Sequence, residues 1–178
     1  MEYQVIENYT HDEFDHVIKE HWQDVWNYSF IITKDTHLSD DITQDVFIKA
    51  FKNWNSFRNQ SSVKTWLLKI TRNTALNYLK SSYFKRVSLV SFFRDDKETP
   101  SAEQQFFRKE DMGEIWNAIL KLPKKHREVL ILDAKYELSY EEIAETLGVS
   151  IGTVKSRLHR ARARVSKMLG EDASNHEQ

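Results

Sequence analysis

The stretch SYEEIAETLGVSIGTVKSRLHRARARVSKML, residues 139–169, decides the fold of the C-terminal part of the chain, since it predicts two short helices joined by a tight turn. Ser139 and Glu142 have capping-box spacing, so the first helix is expected to begin there. Gly148 supplies the left-handed residue that ends a helix. Ser150 then provides the N-cap of the second helix.

The second helix of this pair has two unlike faces. Apolar residues recur at helical spacing on one of them: Ile151, Val154, Leu158, Ala161 and Val165. The opposite face carries Gly152, Ser156, His159, Arg160, Ala163 and Lys167. From Ile151 to Leu169 there are six Lys or Arg and no acid. Such a helix fits the DNA major groove with its N-terminal half. A helical hairpin with a solvated basic face is the alternative, but solvated helices usually mix both charge signs.

Charge is segregated along the 178 residues, although the net charge is only -1. Residues 1–48 hold 11 acids and two bases, and residues 49–94 hold ten bases and no acid. Residues 121–169 hold 11 bases and six acids. This asymmetry favours a face for a polyanion beside an acidic surface for a protein partner.

Composition narrows the fold class and the cellular compartment. Four Gly and two Pro, with many helical periodicities, predict an all-α fold of one large or two small helical domains. The absence of cysteine excludes disulfides and thiolate metal sites. The acidic N-terminus has no apolar core, and no run approaches the roughly 18 apolar residues of a membrane span, so we expect a cytoplasmic protein.

The N-terminal half predicts two further helices. Thr10 and Glu13 form a second capping box, which predicts the start of a core helix. Ser39 is the expected N-cap of the next helix, with Asp40 and Asp41 in its first turn. Its apolar stripe comprises Ile42, Val46, Phe47, Ala50, Phe51 and Trp54. On or near its other face lie Asp41, Gln44, Asp45 and Ile48.

Three interpretations of Asp40, Asp41 and Asp45 are open. The spacing of Asp41 and Asp45 would suit a magnesium site. More simply, two are first-turn acids favoured by the helix dipole and the third is solvated, since no further acid follows until Asp95. A protein-docking patch is the third interpretation.

A basic helix is predicted over residues 63–80, after a polar loop at 53–62, with Ser61 or Ser62 as its N-cap. Lys and Arg residues interleaved with aromatic residues are typical of proteins that bind single-stranded nucleic acid. Trp66 by itself is more simply interpreted as a core residue. Residues 87–111 break the periodicity around Pro100 and predict a linker. No glycine-rich phosphate loop, HExxH, GxSxG or zinc-ligand spacing occurs.

Four segments together carry a family resemblance: residues 39–51, 54–80, 122–132 and 138–165. In order they read SDDITQDVFIKAF, WNSFRNQSSVKTWLLKITRNTALNYLK, LPKKHREVLIL and LSYEEIAETLGVSIGTVKSRLHRARARV. The chain resembles a bacterial RNA polymerase sigma factor of the extracytoplasmic-function group. The resemblance implies two small helical domains: region 2 over 1–86, a linker over 87–111, region 4 over 112–170, and a frayed tail over 171–178.

The resemblance also implies roles for particular residues. Core-polymerase binding falls to Asp41, Gln44, Asp45 and Ile48. Minus-10 recognition and melting fall to Asn59, Gln60, Ser61, Ser62, Lys64, Trp66, Lys69, Arg72 and Asn73. Minus-35 recognition falls to Lys155, Ser156, His159 and Arg160 near bases, with Arg157, Arg162 and Arg164 nearer phosphates.

The partners implied are core RNA polymerase, promoter DNA in double-stranded and melted form, and an anti-sigma factor, in this family usually membrane-bound. No catalytic activity, cofactor or metal is implied. Two other hypotheses stay open at this point: a helix-turn-helix regulator that binds operators alone, and a magnesium-dependent nuclease built on Asp40, Asp41 and Asp45.

Overall fold

The computed structural model describes the backbone of residues 2–57, 61–89 and 113–175, and the side chains of 13–57, 61–81 and 113–170. The chain divides into two compact units, Met1–Phe93 and Arg94–Gln178. Every regular element of the described ranges is helical, which confirms the all-α prediction. The domain boundaries at residues 86, 111 and 170 stay predictions, and most of the predicted linker lies outside the described residues.

Seven α-helices account for the described ranges. In the first unit they are α1 (Glu2–Thr33), α2 (Thr36–Asn53) and α3 (Val63–Leu89), with a single 3-10 turn at Trp54–Ser56. In the second unit they are α4 (Gly113–Lys121), α5 (Lys124–Ala134), α6 (Tyr140–Leu147) and α7 (Ile151–Asn175). None of the described helices combines the length and apolarity needed to cross a membrane.

The first unit is a bundle in which α1, α2 and α3 pack against one another. Its core includes Tyr28 and Ile31 of α1, Ile42 of α2 and Leu67 of α3, all of them buried. The predicted stripe on α2 is confirmed for Ile42, Val46, Phe47 and Ala50. Its outer end departs from the prediction, because the Phe51 side chain is 42% exposed.

The predicted start of the first helix is wrong. Helix α1 begins at Glu2, so Thr10 and Glu13 lie inside it rather than at its N-terminus. A capping box marks the N-terminus of a helix only where the residues before it leave the helical conformation. The first ten residues contain neither Gly nor Pro, and the helix therefore continues through the motif.

The predicted N-cap of the second helix is also wrong. Helix α2 begins one turn earlier, where the Asp35 side chain accepts the amide of Leu38 at 2.9 Å. Ser39 is buried inside the helix, and its hydroxyl donates to the Asp35 carbonyl at 2.6 Å. Asp40 and Asp41 consequently lie beyond the first turn, so the helix-dipole explanation of these acids does not hold.

The second unit contains the helix pair predicted from residues 139–169. Ser139 Oγ accepts the Glu142 amide at 3.2 Å, and the Ser139 amide donates to Glu142 Oε2 at 2.9 Å. Gly148 ends α6 with φ 64°, and Ser150 Oγ accepts the Thr153 amide at 3.2 Å at the start of α7. These local predictions are confirmed. Helix α7 packs on α4, α5 and α6.

A buried arginine joins the first two helices of the second unit. Arg127 of α5 donates through Nη1 to the carbonyl oxygens of Leu120 and Leu122, at 3.1 and 3.0 Å. The terminal carbonyls of a helix have no partner within the helix, so Arg127 supplies one for the end of α4. Burial lowers the pKa of Arg127 from its usual value.

Candidate nucleic-acid interface

Helix α7 presents the polar face that its sequence predicts. The six residues predicted on this face are all exposed: Gly152, Ser156, His159, Arg160, Ala163 and Lys167. On the opposite side Val154, Leu158 and Ala161 are buried against the other helices. The apolar side of α7 therefore packs against the other helices of the unit, while the side rich in Lys and Arg is exposed.

One flank of α7 forms a shallow groove with the start of α6. The groove has a volume of about 420 Å³ and is lined by Tyr140, Lys155, Leu158, His159, Arg162, Ala163 and Ser166. Lys155 Nζ lies 5.9 Å from the centre of the Tyr140 ring. Tyr140 was not among the residues predicted for this interface, although its position directly after the Ser139 cap places it at the start of α6.

The three arginines predicted near phosphates differ in their surroundings. Arg164 is exposed, Arg157 is partly buried, and Arg162 Nη2 donates to Asp133 Oδ2 at 2.7 Å. That hydrogen bond and the charge of Asp133 raise the pKa of Arg162 above its usual value. A phosphate contact by Arg162 would therefore compete with, or share, its bond to Asp133.

Beneath this face lies a buried histidine. His126 of α5 is only 3% exposed, and neither of its ring nitrogens has a hydrogen-bond partner among the described residues. Burial lowers the pKa of His126, and the positive charges of Arg164, Lys125, Arg160 and Arg157 lower it further. The neutral ring is thus the form that the folded second unit favours.

Acidification is therefore expected to destabilise the second unit. An unfolded histidine titrates near pH 6.5, whereas folded His126 has a lower pKa, so below about pH 6.5 the unfolded state binds the proton first. Above about pH 6.5, neutral His126 does not reduce the free energy of unfolding. Below that pH the free energy of unfolding falls, by at most about 1.4 kcal/mol per pH unit. Urea unfolding between pH 7.5 and 5 measures the slope, and His126→Leu should make it shallower. An equal slope in both proteins would contradict the prediction.

The predicted minus-10 residues lie on α3 and on the loop before it. Ser62 is the N-cap, since its Oγ accepts the Thr65 amide at 3.0 Å. Along the helix Lys64, Trp66, Lys69 and Arg72 are partly exposed, and Asn73 is exposed. Ser61 is also partly exposed, whereas Asn59 and Gln60 lie outside the described residues. The N-cap prediction is confirmed for Ser62, while the DNA contacts stay predictions.

Aromatic rings form a cluster beside this helix. Trp66 lies 4.8 Å from Phe57 and 6.1 Å from Trp54, measured between ring centres. Trp54 in turn lies 5.3 Å from Phe14, which lies 5.2 Å from Phe51. We call these five residues the aromatic cluster. Because Trp66 is only partly buried, it contributes to packing and also borders the surface.

The acidic face of α2 is held by contacts to both neighbouring helices. Asp45 Oδ2 accepts from Lys49 Nζ at 2.8 Å, and the same nitrogen lies 3.2 Å from Thr74 Oγ1 of α3. Asp40 Oδ1 accepts the indole N–H of Trp26 at 2.7 Å. Asp41, Gln44 and Ile48 are exposed, with Ile48 at 54%. Sequence spacing did not identify the contact that Lys49 makes with Thr74, whose side chain is buried.

These contacts weaken the magnesium interpretation. Asp40 and Asp45 already accept hydrogen bonds from protein groups. Among the described side chains, no three His, Cys, Asp or Glu residues lie close enough together to hold a metal ion. Burial, followed by the negative charges of Asp45 and Asp41, raises the pKa of Tyr78 in α3.

Comparison with known proteins identifies the family. Residues 17–83 match the family described as Sigma-70 region 2, and residues 112–165 match Sigma-70, region 4. RNA polymerase sigma factor YlaC of Bacillus subtilis is 35% identical over 158 residues, covering 88% of this chain and 91% of that protein. The chain belongs to the RNA polymerase sigma factors of the extracytoplasmic-function group. As a member, it is a DNA-binding transcription initiation factor.

Two further comparisons agree with the assignment to this group of sigma factors. The ECF RNA polymerase sigma factor SigW of Bacillus subtilis is 29% identical over 167 residues, covering 89% of each chain. The solved structure of sigma factor RpoE, in complex with the anti-sigma factor NepR from Bartonella quintana, superposes with a TM-score of 0.73. It is 25% identical and covers 89% of this chain and 97% of that one.

Proposed function

We propose that this sigma factor binds core RNA polymerase through α2, melts and holds the minus-10 element with α3 and its preceding loop, and reads the minus-35 duplex with α7. The observation that carries the proposal is the exposed face of α7, which is rich in Lys and Arg. The opposite, apolar side of the helix is buried against the rest of the unit. A separate acidic face on α2 supports a different partner for that surface.

The docking assignment covers Asp41, Gln44, Asp45 and Ile48. Three of these side chains are exposed and lie around a carboxylate that Lys49 orients. An exposed isoleucine beside acids is suited to a protein surface that is partly apolar and partly basic. This mixed chemistry favours protein docking over DNA contact, because carboxylates repel phosphates.

The minus-10 assignment covers Asn59, Gln60, Ser61, Ser62, Lys64, Trp66, Lys69, Arg72 and Asn73. The Lys and Arg side chains of α3 can contact successive phosphates of a DNA strand. Residues 49–94 contain no Asp or Glu that would repel those phosphates. The aromatic cluster borders this helix and offers rings on which an unstacked base can pack. Capture of a flipped base in this region is consistent with both features.

The minus-35 assignment covers Lys155, Ser156, His159 and Arg160 at base edges and Arg157, Arg162 and Arg164 at phosphates. Arg160 is exposed near the middle of α7, where a guanidinium can reach a guanine edge. The domain limits proposed are region 2 over 1–86, a linker over 87–111, region 4 over 112–170 and a tail over 171–178.

Control by an anti-sigma factor is part of the proposal. The RpoE structure that resembles this chain contains the anti-sigma factor NepR. An inhibitor that covers α2 or α7 would block docking or promoter reading without any chemical step. We propose that the protein works in the cytoplasm with the polymerase and has no catalytic activity of its own.

Run-off transcription tests the proposed function. Core polymerase with the full-length protein is expected to transcribe a defined set of promoters, which transcript sequencing on genomic DNA would identify. Free protein is expected to bind the same DNA weakly, since the polymerase raises the effective concentration of each DNA contact. A footprint of equal strength without polymerase would instead indicate a conventional operator-binding regulator.

Asp45→Ala is expected to weaken binding to core polymerase by at least about tenfold, as the loss of one charged hydrogen bond of about 1.5–3 kcal/mol predicts. Binding of full-length protein to core measures the effect, and Asp15→Ala, on the exposed side of α1, is the matched control. Lys49→Met tests whether the internal pair alone matters. Retained affinity in Asp45→Ala would remove Asp45 from the docking surface.

A further inference from the structure

Ile151 does not occupy the buried position that its helical spacing predicts. Val154 and Leu158, on the same predicted stripe, are 0% and 2% exposed, whereas Ile151 is 38% exposed. Ile151 is the first residue of α7, directly after the Ser150 cap. It therefore presents an apolar side chain at the N-terminal end of α7. In helix-turn-helix proteins, the N-terminal residues of the second helix contact base edges in the DNA major groove.

The next residue, Gly152, is a glycine that the described fold does not require. Within the part of the chain that the structure describes, a Cβ placed there would meet nothing closer than Ser150 Oγ at 3.9 Å, an ordinary contact distance. Its φ is not positive, unlike that of Gly148. Glycine destabilises a helix relative to alanine, so its presence in an open helical position favours a close approach by something outside the protein.

The surroundings of these two residues favour DNA as that external surface. Lys155 and Ser156 are exposed one turn further along α7, and no acid occurs from Ile151 to Leu169. In the major groove the one apolar group among the standard base edges is the 5-methyl of thymine. An exposed aliphatic side chain in the groove is best used against that methyl, since polar base edges would lose water on contact with it.

We infer that Ile151 is a specificity-determining residue of α7 that packs on the 5-methyl group of a thymine in the minus-35 duplex, while Gly152 lets the first turn of the helix approach the DNA closely. The inference rests on the proposed role of α7 in minus-35 reading. It adds an apolar contact to an interface that is otherwise assigned only polar and charged side chains.

Removal of single thymine methyl groups tests the inference. Holoenzyme made from core polymerase and the full-length protein is measured on a promoter it transcribes, with each minus-35 thymine replaced in turn by deoxyuridine. At one position the wild-type holoenzyme should lose about fourfold in affinity, as expected for one buried methyl group. Ile151→Ala should bind the thymine promoter more weakly and show no further loss on the deoxyuridine promoter.

Ile115→Ala is the matched control, because Ile115 is an isoleucine of similar exposure, 43%, in the same unit. It should retain the fourfold deoxyuridine effect. Gly152→Ala should unfold at the same or a higher temperature than wild type, yet bind thymine and deoxyuridine promoters equally poorly.

Three results would overturn the inference: no deoxyuridine effect in wild type, the same effect in Ile151→Ala, or unchanged promoter affinity in Gly152→Ala. Failure of the proposed function is separately visible. In that case wild-type holoenzyme would not distinguish the promoter from a version with a scrambled minus-35 element.

Discussion

Arg127→Met is expected to lower the free energy of unfolding of the second unit by about 3 kcal/mol. The substitution keeps an unbranched apolar stem but removes the hydrogen bonds to the Leu120 and Leu122 carbonyls. Buried polar groups left without a partner cost about 1–3 kcal/mol each. Relief of the burial penalty on the guanidinium, visible in its lowered pKa, offsets part of that loss.

Hydrogen exchange of the amides in residues 113–170 measures this effect in the full-length protein, since it reports on the second unit separately from the first. Lys125→Met, at an exposed position on the same helix, is the matched control and should leave exchange unchanged. Arg127→Lys should be intermediate, because one ammonium group cannot reproduce the geometry of the guanidinium. Equal protection in Arg127→Met and Lys125→Met would show that the two carbonyl contacts do not stabilise the unit.

Arg160→Ala is expected to cost roughly 1–3 kcal/mol of promoter discrimination and to leave the stability of the protein unchanged. Its guanidinium is exposed on the outward face of α7, beside Ser156 and His159 in the helical projection. A bidentate contact to a guanine edge supplies discrimination of this size, whereas a phosphate contact supplies affinity without sequence preference. Loss of preference with retained folding would assign Arg160 to a base.

Competition between a transcribed promoter and the same DNA with a scrambled minus-35 element measures the discrimination by holoenzyme. Arg164→Ala is the matched control, since Arg164 is exposed on the same helix and assigned to a phosphate. It should weaken binding to both DNAs alike and make binding less dependent on salt. An unchanged preference in Arg160→Ala would place Arg160 with the phosphate contacts or outside the interface.

Short-range interactions explain which features were predictable. The Ser139–Glu142 capping box, the left-handed Gly148 and the Ser150 cap each depend on atoms within three or four residues along the chain. The same holds for the Ser62 cap of α3. Helical periodicity likewise predicted the burial of Val154, Leu158 and Ala161 and the exposed polar face of α7, because adjacent turns fix which side chains share a side.

The start of α2 was predicted wrongly because local residue types do not decide it. Asp35 and Ser39 are both suitable N-caps by residue type, so sequence alone does not choose between them. In the folded protein Ser39 is buried, with its hydroxyl 3.3 Å from Thr33 Oγ1, and Asp40 accepts the Trp26 indole N–H. Packing of α2 on α1 therefore selects Asp35 and continues the helix through Ser39.

The sequence by itself determined the helical class, the helix-turn-helix pair, the charge segregation and the family, because each follows from local pattern or motif. Only the tertiary structure decided which side chains contact distant parts of the chain and which remain exposed. Arg162 binds Asp133 from 29 positions away, Lys49 reaches Thr74 from 25, and Ile151 remains exposed although its spacing predicts burial. The physical reason is that these contacts depend on how whole helices pack, and periodicity along one helix contains no information about its neighbours.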